Sequence, residues 1–142
     1  MELDEKYREF LHQHHAAAMI TIARDGTPKA VRVGVALVDG RLWSSGTVGR
    51  VRTKRLRRDP RCTLFVFDQG YSFLTIESTV TVLDGPDAAH QNLELFRVMQ
   101  HRPAGRLNWY GEELDEDAFL ARMADEQRLI YEFAPTNAYG SF

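Results

Sequence analysis

The residues with the clearest chemical meaning lie in one segment, Leu42–Arg61, with the sequence LWSSGTVGRVRTKRLRRDPR. Seven of the chain's 18 Lys and Arg residues lie between Arg50 and Arg61, against the single acid Asp59, so this part carries a formal charge of +6. The whole chain has a net charge of −2, which means that the other residues sum to −8. Positive charge gathered in one place of an otherwise acidic chain indicates a binding site for an anion.

Hydroxyls, glycines and basic side chains follow one another in this segment as they would around a phosphate group. In chain order they are Ser44, Ser45, Gly46, Gly49, Arg50, Arg52 and Lys54. Hydroxyls and glycine-flanked amides donate at close range, and the N-terminus of a helix adds partial positive charge. The arginine fork matches two phosphate oxygens. Neither GxxxxGK[ST] nor GxGxxG occurs, so the segment matches neither of these nucleotide-binding motifs.

Two other interpretations of the basic segment are possible. The first is a solvated basic helix, in which Arg57, Arg58 and Arg61 pair with Asp59 or with the acidic run at 112–117. The second is nucleic-acid binding through the same residues. The charge of −8 on the rest of the chain and the lack of a recognition-helix, aromatic-platform or finger motif argue against nucleic acid.

No other pattern offers protein-based chemistry. GxSxG and HExxH are absent, and the lone Cys62 starts a β-like run, where a buried thiol is expected. His12 and His15 are three residues apart on a predicted helix, but no nearby Cys or carboxylate completes a metal site, so no metal is expected. A bound cofactor would therefore carry any reaction.

Length and composition predict one domain, residues 1–142. The chain is 44% hydrophobic and 27% charged, which is ordinary for a soluble globular protein. No apolar run reaches the roughly 18–20 residues of a membrane span, and the N-terminus MELDEKYREF is too charged for a signal peptide. With one cysteine and no internal disulfide, we expect a cytoplasmic protein that does not bind membranes.

The elements around the basic segment are predicted from hydrophobic periodicity and turn signals. Strands joined by Asp25-Gly26 and Asp39-Gly40 turns, whose residues are expected to have positive φ, form an antiparallel meander. The predicted strands are Ala16–Arg24, Lys29–Val38, Arg41–Ser45, Arg61–Asp68, Ser72–Asp84 and Arg128–Phe133. The predicted helices are 3–15, 50–58, 87–101 and one opened by the acids at 112–117, with a loop at 102–111 and a tail at 137–142. Six strands without βαβ alternation predict a small antiparallel barrel with peripheral helices.

These motifs resemble those of the split β-barrel flavin/deazaflavin oxidoreductases, the superfamily of pyridoxamine-5′-phosphate oxidase. The resemblance rests on WSSG…GRVRTKRLRRDPRCTLFVFD, on SFLTIESTVTVL and on a C-terminal AYG, and it covers roughly residues 5–140. Its most specific part is R-x-[RK]-T-K-x-L-R-R-D-P at 50–60, directly before a strand. Within the superfamily the chain looks most like the actinobacterial class that uses the deazaflavin coenzyme F-420.

The resemblance implies a mainly β fold (α+β in content), a six-stranded antiparallel split β-barrel with peripheral helices. It implies a homodimer with the cofactor groove at the interface, and strand 31–37 lining the ring. The implied cofactor-binding residues are Ser44, Ser45, Arg50, Arg52, Thr53 and Lys54. Further arginines that could meet the anionic F-420 tail are Arg55, Arg57 and Arg58.

The implied function is F-420-dependent hydride transfer to or from a small unsaturated organic substrate. FMN in place of F-420, or a cofactor carrier without efficient catalysis, are the alternatives. The chain ends in NAYGSF and lacks the Arg/His substrate motif of the vitamin oxidase, so that activity is not expected. The proton donor stays open among Tyr71, Tyr110, Tyr139 and solvent.

Overall fold

The computed structural model describes residues 1–142, which form nine strands and four helices. The helices are α1 (Glu5–Gln13), α2 (Val51–Arg58), α3 (Ala88–Met99) and α4 (Glu116–Asp125). The strands are β1 (Ala16–Ile22), β2 (Pro28–Gly34), β3 (Ala36–Val38), β4 (Arg41–Thr47), β5 (Arg61–Phe67), β6 (Phe73–Leu83), β7 (Leu107–Trp109), β8 (Glu112–Leu114) and β9 (Arg128–Ser141).

Seven strands form one antiparallel sheet in the order β2-β1-β5-β6-β9-β4-β3, and β7 and β8 form a separate hairpin. The two edge strands, β2 and β3, are consecutive in the chain, with only Val35 between them. In a flat sheet these edges would lie about 29 Å apart, because neighbouring strands are spaced about 4.8 Å. One intervening residue spans only about 7 Å, so the sheet must curl until its edges meet. The predicted mainly β split barrel is confirmed.

The Asp39-Gly40 turn has the geometry expected from its sequence. Asp39 has a φ of 50° and Gly40 a φ of 78°, the two positive values of a tight two-residue hairpin. At the Asp25-Gly26 turn only Gly26 has a positive φ, 87°, so the prediction was half right there. The Asp25 carboxylate instead accepts a hydrogen bond from the Thr27 amide at 3.0 Å.

The predicted strand Lys29–Val38 was wrong as one element, because the chain crosses at Val35 from one edge of the sheet to the other. At the crossing, the Val35 amide donates to the carbonyl of His15 at 2.8 Å. The predicted tail after residue 136 is also wrong. It continues β9, which pairs with β6 from Ile130 to Ser141 with a bulge opposite Glu77 and Ser78.

The predicted loop 102–111 contains β7, which pairs with β8. For this reason Glu112 and Glu113 lie in a strand rather than at a helix start. Helix α4 begins later, at Glu116, and the Asp115 carboxylate caps it by accepting from the Ala118 amide at 2.8 Å. The main sheet therefore has seven strands where six strands in all were expected, and the four helices are confirmed.

The barrel interior is a cluster of 19 buried hydrophobic residues. Cys62 belongs to it with 3% exposure, which confirms the predicted buried thiol, and burial raises its pKa to about 12. The largest fully buried side chain is Tyr131, whose ring passes over Gly46. No helix combines the length and apolar character required to cross a bilayer. The cytoplasmic location stays a prediction.

We expect Gly46→Ala to destabilise the protein, because the added Cβ would come within 2.6 Å of Tyr131 Cε2. Overpacking of this kind typically lowers the free energy of unfolding by about 1–3 kcal/mol. Gly49→Ala is the matched control, since a Cβ there meets nothing within 4 Å. Urea unfolding of both variants measures the difference, and equal stability of the two would contradict the packing at Gly46.

Candidate functional site

A cavity of about 430 Å³ opens where the two edges of the curled sheet meet. Arg32, Val33 and Gly34 of β2 and Ser44 and Ser45 of β4 form its sheet side. The start of α2, helix α3, the β7–β8 hairpin and the start of β9 supply the other walls. Its volume lies within the range of typical ligand sites. The basic segment identified in the sequence therefore lies at a real cavity.

The charge of this cavity is entirely positive. Four arginines line it, Arg32, Arg50, Arg52 and Arg128, and no Asp or Glu does. Arginine forks placed together around a cavity that no carboxylate lines suit a phosphate or carboxylate ligand. The anion site predicted from the sequence is consistent with this arrangement.

Arg50 and Arg52 each have a side-chain nitrogen that lacks a hydrogen-bond partner. The Nε atom of each is buried and makes no hydrogen bond. Arg52 makes one long hydrogen bond, from Nη2 to the carbonyl of Ser45 at 3.4 Å, and its guanidinium lies 5.7 Å from the Tyr131 ring centre. Burial lowers the pKa of Arg52 from its usual value, and the charge of Arg50 acts in the same direction. A buried cationic nitrogen without a hydrogen-bond partner is costly, and an anion in the cavity would give both Nε atoms a partner.

Ser44 and Ser45 line the cavity, but their hydroxyls are already bound within the protein. Ser44 Oγ donates to the carbonyl of Gly34 at 2.7 Å, which ties β4 to β2 across the meeting edges. Ser45 Oγ donates to the side-chain carbonyl of the fully buried Asn92. These two serines therefore both line the cavity and hold its walls together.

Thr53 and Lys54 do not line the cavity. Thr53 is fully buried, and its hydroxyl donates to the carbonyl of Thr47 at 2.7 Å and lies against the Tyr131 hydroxyl. Lys54 is exposed on the next position of α2. Successive residues of a helix point about 100° apart, so only Arg52 of these three turns toward the cavity.

Three further arginines of the segment, Arg57, Arg58 and Arg61, have partners outside the cavity. Arg61 pairs with Asp59 at 2.8 Å, as one of the interpretations predicted, and lowers the pKa of that carboxyl to about 2. Arg57 pairs with Asp84, and Arg58 donates to the carbonyl of Ile22. None of these arginines pairs with the acids at 112–117, the other partners considered for them. Three of those acids pair with other arginines, in the pairs Arg97–Glu116, Arg102–Glu113 and Arg122–Glu112.

Of the wall opposite the sheet, sequence reasoning named only Tyr110, as a candidate proton donor. Phe96 and Met99 of α3 and Gln100 at its C-terminal cap form part of this wall, and Trp109 and Tyr110 of the β7–β8 hairpin form the rest. The Trp109 ring lies edge-on to Phe96 at 5.0 Å and is 5% exposed. The periodicity of α3 gave an apolar stripe, but nothing local indicated that this helix and a distant hairpin face the basic segment. Nothing in the sequence around Arg128 indicated that this residue lines the cavity either.

The histidines do not form the helical pair considered as a metal site. Helix α1 ends at Gln13, so His15 lies beyond it, and its Nδ1 contacts the carbonyl of Val35 at 2.9 Å. Burial lowers the pKa of His15. No group of three or more His, Cys, Asp or Glu residues is placed to hold a metal ion.

The curled seven-stranded antiparallel sheet with its cavity at the split defines the class of split-barrel proteins. The model of the pyridoxamine 5′-phosphate oxidase family matches residues 3–139, and the chain belongs to this family. The resemblance seen in the sequence is thereby confirmed.

Solved structures share the fold at low identity. Rv2991 from Mycobacterium tuberculosis is 19% identical with a TM-score of 0.75, over 99% of this chain and 84% of that one. An F420 reductase is 19% identical with a TM-score of 0.69, over 96% and 98% of the two chains. A FAD-binding protein from Mesorhizobium loti is 16% identical with a TM-score of 0.60, over 97% and 94%. At these identities the likeness shows the fold.

We expect Thr53→Val to lower stability, because it leaves the Thr47 carbonyl and the Tyr131 hydroxyl without their buried partner. The loss should be about 1–3 kcal/mol in the free energy of unfolding. Lys54→Ala, one residue along the helix and exposed, should change stability by no more than about 0.5 kcal/mol. Chemical denaturation measures both. A Thr53→Val protein as stable as wild type would remove the structural role assigned to this hydroxyl.

Proposed function

We propose that the protein is an F-420-dependent oxidoreductase that transfers a hydride between the reduced deazaflavin and a small unsaturated organic substrate. One observation carries the proposal: the buried, unpartnered Nε atoms of Arg50 and Arg52 at a cavity with four arginines and no acid. Membership of the pyridoxamine 5′-phosphate oxidase family and the fold shared with an F420 reductase support it.

The residues of the cavity fit the parts of such a cofactor. Arg50 and Arg52 would hold the phosphate, and the β2 segment at Val33 and Gly34 would lie against the ring, as expected for strand 31–37. When bound, a deazaflavin supplies the carbon that accepts or donates the hydride. The protein's own part is to bind and orient both reactants and to keep water away from them.

Tyr110 is the tyrosine that we propose as a proton donor. Of Tyr71, Tyr110 and Tyr139, only Tyr110 lines the cavity. No His, Asp, Glu, Lys or Cys lines it, so Tyr110 and solvent are the proton sources available within one subunit. This sparse set of titratable groups is also what favours the alternative of a cofactor carrier.

FMN is the alternative cofactor, since it shares the phosphate on a ribityl chain and a similar ring. Titration of the protein with F-420 and with FMN, followed by absorbance, decides between them. Turnover of the reduced F-420 complex with enones and quinones then separates an enzyme from a carrier. Failure of both cofactors to bind would reject the proposed function.

We expect an Arg50→Ala, Arg52→Ala double variant to bind the cofactor at least about tenfold more weakly. The reason is the loss of two charge-assisted sets of hydrogen bonds to phosphate. The matched control combines Arg61→Ala with Arg122→Ala, because it also removes two positive charges, at residues that pair with Asp59 and Glu112 and do not line the cavity. Wild-type affinity in the Arg50→Ala, Arg52→Ala variant would reject the assignment of these arginines.

We also propose that the protein is a homodimer with the cavity next to the interface. The outer face of the sheet exposes aromatic residues, with Phe65 37% and Tyr139 50% exposed, and Phe65 stacks on Phe73 at 5.3 Å. Arg32 joins this face to the site, because it lines the cavity and lies 5.9 Å from the Phe67 ring centre. A second copy of the chain would cover this apolar face.

We expect Phe65→Lys to give a monomer with weaker cofactor binding, because it places a charge on the proposed interface. Val48→Lys is the control, since Val48 is similarly exposed, at 46%, but lies in the turn after β4. Light scattering coupled to size-exclusion chromatography measures the mass. A monomeric wild-type protein, or a Phe65→Lys variant that stays dimeric, would contradict the proposed interface.

A further inference from the structure

We propose that Arg128, positioned by Glu126 and Trp109, is the third cation of the anion site, and that this site selects a ligand with two negative charges. The inference rests on the proposed function and adds to it the charge and the third arm of the binding site. Arg128 lies 76 residues from Arg52 in the sequence and shares the cavity with it.

Arg128 is held firmly on two sides. Its Nε donates to Glu126 Oε1 at 3.0 Å, and its Nη2 lies 2.9 Å from the same oxygen. Its guanidinium lies 4.9 Å from the centre of the Trp109 ring, and only 8% of its side chain is exposed. The remaining nitrogen, Nη1, has no partner in the chain. A cation–π contact and an ion pair thus fix the direction in which this fork points.

Glu126 positions the aromatic wall and the cation together. Its second oxygen, Oε2, accepts from Trp109 Nε1 at 3.0 Å, so both oxygens of one carboxylate have donors. Glu126 is the C-cap of α4, and Gln127, with a φ of 53°, turns the chain so that β9 begins at Arg128. Glu126 itself does not line the cavity, and its role is that of a positioning residue.

The group formed by Arg50, Arg52, Arg128 and Glu126 has a net charge of +2. Arg50, Arg52 and Arg128 contribute three positive charges, and Glu126 is the one acid paired with any of them. The charges of Arg50 and of Arg128 both lower the pKa of Arg52, as expected for cations that repel one another across a small space. Arg32 is more exposed and packs against Phe67, so it stands apart from this group of three.

Two kinds of phosphate compound carry the two negative charges that would balance this net positive charge. One is a phosphate monoester, a dianion near neutral pH, which is the form found in FMN. The other is a phosphate diester next to a carboxylate, which is the form found in the F-420 tail. The shared chemistry is a dianionic, phosphate-containing group, and titration with FMN and with F-420 separates the two sources.

Trp109 supplies the readout, because the chain has only two tryptophans. In a Trp43→Phe background its emission reports the environment of Arg128, while Trp43 lies elsewhere and donates to Glu132 at 3.0 Å. We expect inorganic phosphate and sulfate to change this emission saturably. Dimethyl phosphate, which carries one charge, should bind at least about tenfold more weakly than inorganic phosphate. Equal affinity for one and two charges, or no saturable change with any anion, would overturn the charge assignment.

In the same background, Arg128→Ala should weaken phosphate binding about tenfold or more. Glu126→Ala separates positioning from charge. If Glu126 only neutralised Arg128, its removal would tighten anion binding, whereas loss of positioning weakens it. Arg122→Ala is the matched control, since Arg122 lies on α4, pairs with Glu112 at 3.1 Å and does not line the cavity. If Glu126→Ala fails to fold, Glu126→Gln and Arg128→Ala decide. Unchanged phosphate affinity in Arg128→Ala would overturn the proposal.

Cofactor titrations distinguish this proposal from the proposed function. FMN tests the monoester, F-420 the diester with its carboxylate, and riboflavin, without phosphate, should bind much more weakly than FMN. Phosphate binding that depends on Arg128 in a protein that takes neither cofactor would support the anion site and reject the oxidoreductase. Cofactor binding that Arg128→Ala leaves unchanged would support the proposed function and reject the role of Arg128 in the anion site.

Discussion

A single residue, Val35, joins the two edge strands of the seven-stranded sheet, and the rest of the structure depends on that short connection. An open sheet of this width would hold its edges tens of ångströms apart, so β2 and β3 can be neighbours in the chain only if the sheet curls. Ser44 Oγ, donating to the Gly34 carbonyl, ties the meeting edges together. The cavity lies at this junction because β2 and β4 approach there without the continuous ladder that joins the other strands.

The polar groups near the cavity divide into two sets with different roles. The hydroxyls of Ser44 and Ser45 tie β4 to β2 and to α3, and the Thr53 hydroxyl ties α2 to β4 and β9. The guanidiniums of Arg50 and Arg52, by contrast, carry buried nitrogens without partners. A satisfied network can hold costly unpaired charges in place, and such charges are ready for a ligand without further reorganisation. Surface arginines elsewhere, such as Arg57 and Arg102, are paired with carboxylates.

The sequence predicted the local features well, because they depend on residues close together in the chain. The Asp39-Gly40 turn, helix α2, the buried Cys62 and strands β1, β5 and β6 lie where periodicity and turn chemistry place them. Predictions failed where a distant partner decided the outcome. The strand predicted for 29–38 was broken by the crossing at Val35, and the expected tail became strand because β6 offered a partner along its full length.

The sequence by itself determined that the chain would form an antiparallel barrel and that its positive charge would follow a serine/glycine turn. It did so because hydrophobic alternation and charge density are properties of contiguous segments. The tertiary structure alone decided which of those charges face a cavity. Arg52 does and Lys54 does not, because the orientation of α2 is set by Thr53 and Leu56 packing into the interior. Arg128 and Trp109 join the site through folding alone, since residues 76 and 57 positions away from Arg52 form no periodic pattern with it in the sequence.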